Sequence, residues 1–321
     1  MMSRRSATLS LLGSLAAAGC SVIAAAPAAR REAEAARRYP PTGRFVTVGT
    51  RRVHLQTEGR GPDVVLIHGA SGNLRDFTFG LMGRLARRYR VTAFDRPGLG
   101  WSDDLGDEGV SPLAQAAVLR AAAAEAGIRR PVVVGQSYGG AVAMAWALGA
   151  PAETAAVVSI AGATMPWPGG LGPFYAITGS DLGAVTVVPL ITAFTSDSRA
   201  ESAVAGIFAP DPVPDGYLEH IGAGLTLRRE SLVVNSRQVN GLKPFVQAMS
   251  EAYPRLALPV EAVHGTADTI VPLRIHSEPM VRLLPDARLT VLQGTGHMPH
   301  HAAPDAVIAA IDRAAARARL R

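Results

Sequence analysis

A serine framed by glycines, an aspartate and a histidine are the residues of this chain whose types and order could do chemistry. Gly135-Gln136-Ser137-Tyr138-Gly139-Gly140 follows the apolar run Val132-Val133-Val134 and precedes the helical run Ala141 to Leu148. A G-x-S-x-G segment between a buried strand and a helix sets its serine on a strained turn. The flanking glycines there let neighbouring backbone approach without a Cβ clash. A serine hydroxyl is a poor nucleophile at neutral pH. It needs a histidine to accept its proton and a carboxylate to hold that histidine's tautomer.

Two residues further on fit those roles. Asp268 lies just past the run Val260 to Val263, in His264-Gly265-Thr266-Ala267-Asp268, 131 positions after Ser137. His297 lies just past Leu289 to Leu292, in Gly294-Thr295-Gly296-His297, 29 positions after Asp268. Asp268 could instead be a simple turn former. His300 and His301 rival His297 in position, and the three histidines could be imagined as a metal cluster. No cysteine or carboxylate stands beside them in the sequence, so no metal is expected there, and proton transfer among a serine, a histidine and a carboxylate requires no metal or organic cofactor. His54, His220, His264 and His276 have no supporting motif and read as surface or core residues.

These groups must be positioned by a sheet. From Arg44 the chain alternates short β-branched or aliphatic runs with helical stretches, which is the pattern of an α/β fold: a mostly parallel sheet with helices on both faces. Phe45 to Val48 and Val53 to Gln56 flank Gly49-Thr50-Arg51 and predict an opening hairpin. Continuous apolar runs at 64–67, 91–94, 132–134 and 156–160 suit strands buried on both faces, and 260–263 and 289–292 complete the set, for eight strands in all. Ser111-Pro112 reads as an N-cap with proline at the first helical position, opening a helix that Gly127 ends. Residues 164–255 break the rhythm with Pro166, Pro168, Pro173, Pro210, Pro212 and Pro214 among their prolines and helical segments near 197–208, 216–229 and 243–251. Inserted between two late strands, they predict a helical cap over the strand ends. The core is then 44–163 and 256–321.

Nucleophile elbow, late carboxylate and final histidine, in the order Ser, Asp, His, resemble the α/β-hydrolase superfamily. Two further segments carry the resemblance: His68-Gly69-Ala70-Ser71-Gly72, similar to an HG-x-x-G oxyanion loop, and Asp95-Arg96-Pro97-Gly98-Leu99-Gly100-Trp101-Ser102, similar to a D-x-x-G-x-G-x-S segment. The resemblance spans about Arg44 to Ala314 apart from the cap. It implies the catalytic residues Ser137, Asp268 and His297, and an oxyanion hole made by the backbone N–H groups of Ala70 and Tyr138. His68 and Gly69 would shape that loop, and Asp95, Gly98 and Gly100 a turn. Tyr138 and Trp101 could contact substrate or simply pack. Members that open epoxides or displace halide carry aspartate at the elbow, so Ser137 argues against both activities.

The expected function is a serine hydrolase acting on a small or medium hydrophobic carboxylic ester through an acyl-enzyme, since the cap segments 171–175 and 184–191 are apolar. The same three residues could act on a carbon–carbon bond, an amide, a lactone or a peracid. A binding module on an inactive hydrolase fold is the alternative of a different class.

Composition sets the outer bounds. In 321 residues, 48% hydrophobic and 18% charged, there is enough core for one large domain without a staple. The single cysteine, Cys20, rules out intrachain disulfides and cysteine-cluster zinc sites. A net charge of +6 could signal nucleic acid, but the 31 arginines and lone Lys243 are scattered without a basic block, so no nucleic-acid partner is expected.

The N-terminus reads as an export segment, with Arg4 and Arg5 followed by an apolar run from Ala7 to Gly19 that is too short to span a bilayer as a mature helix. Ala17-Ala18-Gly19-Cys20 resembles the bacterial lipoprotein box, which implies a lipidated Cys20 and membrane anchoring. Cleavage after Ala24-Ala25-Ala26 is the other reading and would release the protein. Both place it outside the cytoplasm, periplasmic or extracytoplasmic. Residues 1–20 are then the signal segment, and 21–43, rich in Ala, Arg and Pro, a tether. The oligomeric state has no signature in the sequence.

Overall fold

The computed structural model describes residues 23–320. The export segment and Cys20 lie outside the described residues. Eight strands form one sheet: β1 (Arg44–Val48), β2 (Arg51–Glu58), β3 (Asp63–Ile67), β4 (Arg90–Phe94), β5 (Val132–Gln136), β6 (Ala156–Ile160), β7 (Val260–Gly265) and β8 (Ala287–Leu292). Their order is β1-β2-β4-β3-β5-β6-β7-β8. β1 and β2 are the expected hairpin, and β2 also runs antiparallel to β4, whereas every later pairing is parallel.

The apolar runs are continuous because both faces are covered. Val65, Ile67, Val133 and Val157 point into one core, while Val64, Leu66, Val132, Val134 and Val158 point into the other. This is the two-residue alternation of a strand, with a buried layer on each side.

The helices are α1 (residues 23–38), α2 (Arg75–Thr78), α3 (Leu81–Leu85), α4 (Pro112–Glu125), α5 (Tyr138–Gly149), α6 (Pro173–Gly179), α7 (Asp181–Phe194), α8 (Asp197–Phe208), α9 (Tyr217–Ile221), α10 (Ala223–Thr226), α11 (Arg229–Ser250), α12 (Ser277–Leu283), α13 (Pro299–Ala302) and α14 (Pro304–Arg317). In α4 the Ser111 side chain accepts from the Ala114 amide, Pro112 takes the first turn, and Gly127 follows at φ +77°. α4 and α5 cover one face, α3 and α14 the other. No single helix among the described residues is long and apolar enough to cross a membrane.

Helices α6 to α11 lie between β6 and β7. The apolar run at 184–191 is part of α7. The segments expected at 216–229 and 243–251 are instead two short helices followed by α11, which runs 22 residues through Pro244. Proline inside a helix costs about 3 kcal/mol in isolation. Here α11 packs on α5, α6 and α7 with nine buried side chains, and that burial outweighs the lost hydrogen bond.

The tether reading of 21–43 needs correction. Residues 23–38 form α1, laid against the cap. Ala24 and Ala28 are fully buried against Ala193 and Leu190, and Ala35 abuts Gly224. Glu32 accepts a bidentate pair from Arg229, at 2.8 and 2.7 Å, and also the Arg229 amide at 2.9 Å. Arg31 donates to the Thr195 carbonyl and to Asp197. Alanine is the best helix former, and a face of small side chains lets one helix approach another closely. The alanines that suggest a loose segment are therefore what dock it.

Candidate active site

Ser137 sits between β5 and α5 at φ +52°, ψ −119°, a left-handed backbone that costs a residue with a Cβ roughly 1–3 kcal/mol. The strain is held by hydrogen bonds: its amide donates to the Ile160 carbonyl at 2.9 Å, and its own carbonyl accepts from Gly140 and Ala163 at 2.9 and 3.0 Å. The glycines around it are sterically required. A Cβ at Gly135 would lie 2.0 Å from the Gly139 carbonyl oxygen, and one at Gly139 would lie 2.1 Å from that of Ile67.

Asp268 and His297 meet directly. His297 Nδ1 lies 2.7 Å from Asp268 Oδ2, the hydrogen bond that fixes the imidazole with Nε2 free to accept a proton. The other carboxylate oxygen of Asp268 accepts the amides of Ile270 and Val271, both at 2.9 Å. Burial alone would raise the Asp268 pKa, but hydrogen bonds from His264 and His297 and from the Val271 backbone outweigh it. The carboxyl is held well below its usual range.

His264, which no motif singled out, is therefore part of the site. Its Nε2 lies 2.7 Å from the Val271 carbonyl and 3.1 Å from Asp268 Oδ2. A carbonyl can only accept, so Nε2 carries hydrogen. Nδ1 faces Ser277 Oγ at 2.7 Å. The signal in the sequence is the i, i+4 spacing of His264 and Asp268 across a strand end, legible only once β7 is known to stop at Gly265.

Ser137 and His297 are linked through Gln136, whose Nε2 donates to the His297 carbonyl at 3.2 Å. The 68–72 loop completes the cluster. An ideal Cβ on Gly69 would stand 2.2 Å from Gln136 Oε1 and 3.1 Å from Ser137 Cβ, so this loop rests directly on the elbow. His68 Nδ1 donates to the Gly69 carbonyl at 2.8 Å and Nε2 accepts the Arg96 amide at 2.9 Å. Burial, with Arg96 nearby, lowers His68 to about 4, so it is the neutral tautomer. The amides of Ala70 and Tyr138 have no acceptor among the described residues. Such amides beside a serine can receive a developing oxyanion.

The cap holds this loop. Ser71, at φ +55°, gives its amide to Asn235 Oδ1 at 2.7 Å and accepts from Asn235 Nδ2 at 3.0 Å and Thr226 Oγ1 at 2.6 Å. Asn235 lies on α11, too far along the chain for any local pattern to flag it.

Asp95 shapes a turn, with one oxygen accepting the Leu74 amide and the other meeting His54 Nδ1 and the Trp101 amide. Gly100, at φ +54°, leaves no room for a Cβ against that carboxylate. Trp101 donates to the Tyr39 carbonyl and packs under Arg228, and the Tyr138 side chain is buried beneath Arg96 with its hydroxyl on Gln115.

One expectation about the histidines is corrected. A carboxylate does stand beside His300 and His301: Asp76, which α2 brings from 224 positions earlier. Its oxygens face His300 Nε2 at 3.0 Å and His301 Nε2 at 2.8 Å, and accept the Tyr217 hydroxyl at 2.8 Å. The Asp76, His300 and His301 ligand atoms lie within 4.8 Å of one another, so they could hold a metal ion. His300 Nδ1, however, is buried without a hydrogen-bond partner among the described residues. Ligation through Nε2 would turn it into an orphaned N–H donor, whereas ligating histidines usually donate that proton. The group fits better as a polar knot tying the cap residue Tyr217 to the core.

Fold and site together define a class. The profile of the Alpha/beta hydrolase family matches residues 64–310, and the chain belongs to that family. It is 29% identical over 288 residues to an uncharacterised protein of Mycobacterium tuberculosis, covering 85% of this chain and 81% of that one. It is 26% identical to a pimeloyl-[acyl-carrier protein] methyl ester esterase of Nitrosomonas europaea, over 81% of this chain and 98% of the esterase. Among solved structures, that of a membrane phospholipase A described as a bacterial virulence factor superposes with a TM-score of 0.68 at 20% identity, over 99% of both chains.

Proposed function

We propose that the protein is a serine hydrolase that cleaves a small or medium hydrophobic carboxylic ester. Ser137 attacks the carbonyl carbon while His297 Nε2 takes its proton, and the amides of Ala70 and Tyr138 receive the oxyanion. The tetrahedral intermediate expels the alcohol, protonated by His297. Water activated through the same imidazole then hydrolyses the acyl-enzyme, with Asp268 steadying the imidazolium in both steps. The observation that carries this reading is the 2.7 Å contact of His297 Nδ1 with a buried Asp268 carboxylate, beside a serine held at positive φ.

The apolar acyl preference is supported by the cap. Between Ala161 and Ser196 the only formal charge is Asp181, and Leu171, Phe174, Ile177, Leu182 and Phe194 are exposed. Contiguous exposed apolar surface marks a ligand, partner or membrane site. The placement we propose is outside the cytoplasm, anchored through a lipidated Cys20. The described part of α1, from residue 23, docks against the end of α7, and lipid on the nearby Cys20 would bring the apolar cap to the lipid surface.

Brief exposure to a fluorophosphonate followed by intact-mass spectrometry tests the reaction. Wild type gains one phosphonyl adduct and hydrolyses p-nitrophenyl esters, whereas Ser137→Ala does neither. Surviving esterase activity in Ser137→Ala overturns the assignment, and labelling without turnover of any ester length turns the search to the other substrate classes this chemistry serves.

A further inference from the structure

Arg96 is fully buried, and among the described residues no carboxylate pairs with its side chain. Burying a guanidinium without a counter-charge is costly, and a neutral residue would fill the same space without that penalty. Its hydrogen bonds show where the charge is directed. Nε donates to the His68 carbonyl and Nη2 to the Gly69 carbonyl, both at 3.0 Å. Nη1 donates to Gln115 Oε1 at 2.9 Å and to Gln238 Oε1 at 2.7 Å. Each glutamine is oriented by its own amide nitrogen, Gln115 on the Gly109 carbonyl and Gln238 on the Pro97 carbonyl, which leaves the oxygens for Arg96. The guanidinium lies 4.2 Å over the Tyr138 ring. Burial lowers Arg96 to about 10, which leaves it protonated at neutral pH.

The Gly69 carbonyl and the Ala70 N–H are two ends of one peptide group. The carbonyl end accepts from Arg96 Nη2 and from His68 Nδ1, while the amide end has no acceptor among the described residues. The second oxyanion peptide is built the same way. The Ser137 carbonyl accepts two amides, from Gly140 and Ala163, and its other end is the uncommitted Tyr138 N–H. Donors on a carbonyl polarise the peptide and strengthen its N–H as a donor, by some 10–30% per bond in condensed phase, and they fix the peptide plane. A cation does this more strongly than a neutral amide.

We propose that Arg96 is a positioning residue of the oxyanion hole: its guanidinium, held on the Gly69 carbonyl, fixes the Gly69–Ala70 peptide and polarises the Ala70 N–H toward the oxyanion that forms when Ser137 attacks. The inference rests on the ester-hydrolase reading above. It also assigns Gln238 of α11 a part, because this cap residue sets the guanidinium from the far side.

The test compares kcat, KM and inhibition by hexylboronic acid, whose tetrahedral adduct on Ser137 mimics the transition state, in wild type, Arg96→Gln and Arg96→Lys, with thermal unfolding as the check on folding. Arg96→Gln is expected to lose about 100-fold in kcat and a similar factor in boronate affinity, with KM within about 2-fold, the behaviour of a group that acts only on the oxyanion. Arg96→Lys keeps the cation and one carbonyl bond and is expected to lose about 10-fold in both. Folded variants that match wild type, that change KM alone, or that lose kcat without losing boronate affinity overturn the proposal. If Arg96→Gln does not fold, Arg96→Lys decides on the same pair of numbers. A wild-type protein that neither turns over esters nor binds the boronate overturns the hydrolase reading and this inference with it, whereas an active, inhibited wild type with unaffected variants removes Arg96 alone.

Discussion

His264 Nε2 stands 3.1 Å from the same Asp268 oxygen that holds His297, so one carboxylate orients two imidazoles. Among the described residues only the His297 ring has its far nitrogen free, because the His264 ring is closed off by Ser277 and by the Val271 carbonyl. His264 is thereby a brace for the carboxylate, and His297 the base of the proposed reaction.

Removing the brace has a direct consequence. His264→Leu takes a hydrogen bond from a buried carboxylate, an interaction worth about 1.5–3 kcal/mol. Part of that reaches the transition state, and kcat for p-nitrophenyl butyrate is expected to fall about 10-fold with KM little changed. Steady-state kinetics checks this, and an unchanged kcat would reduce His264 to core filling.

Acid stability follows from the buried titrating groups. Burial lowers both His68 and His276 to about 4 from an ordinary 6.5, so the unfolded chain takes up protons between those values while the folded chain does not. Stability is therefore full above about pH 6.5 and falls as pH drops toward 4, by about 1.4 kcal/mol per pH unit for each histidine. Asp268, held low, has the window below: its contribution is present above the ordinary carboxylate pKa and is lost as pH falls through the depressed folded value. The melting temperature is expected to decline from pH 6.5 to 4 and to continue declining below 4. Scanning calorimetry across pH 3–8 reads this, and a flat profile from 6.5 to 4 would contradict the burial of these histidines.

The docking of α1 gives a third expectation. Ala28 is fully buried against the cap, and Ala28→Glu would place an unpaired carboxylate there. Amides of residues 23–38 are expected to lose hydrogen-exchange protection while those of β5 and β6 keep theirs. Glu32→Gln weakens the same contact less, by about 1 kcal/mol or below, because the pair with Arg229 is partly exposed and screened by solvent. Unchanged protection over 23–38 in Ala28→Glu would mean that α1 is held elsewhere.

What was legible in the sequence follows from local chemistry. Strands buried on both faces are largely apolar throughout, so β3 to β6 stood out. A serine at a strand-to-helix turn must be flanked by glycine, because the Gly139 carbonyl leaves no space beside Gly135. Asp268 and His297 follow strand ends, where this topology gathers side chains, and their order was readable without coordinates.

The remainder depended on contacts between distant segments, which no spacing encodes. Asp76 reaches His300 across 224 positions, Asn235 reaches Ser71 across 164, and Glu32 reaches Arg229 across 197. Hence the missed carboxylate beside the histidines, the unflagged clamp on the 68–72 loop, and the helix read as a tether. Arg96 belongs to both sides. Its place in a turn motif was plain from the sequence, but that its charge is buried on the carbonyl of the Gly69–Ala70 peptide was decided only when the sheet, the loop and the cap closed around it.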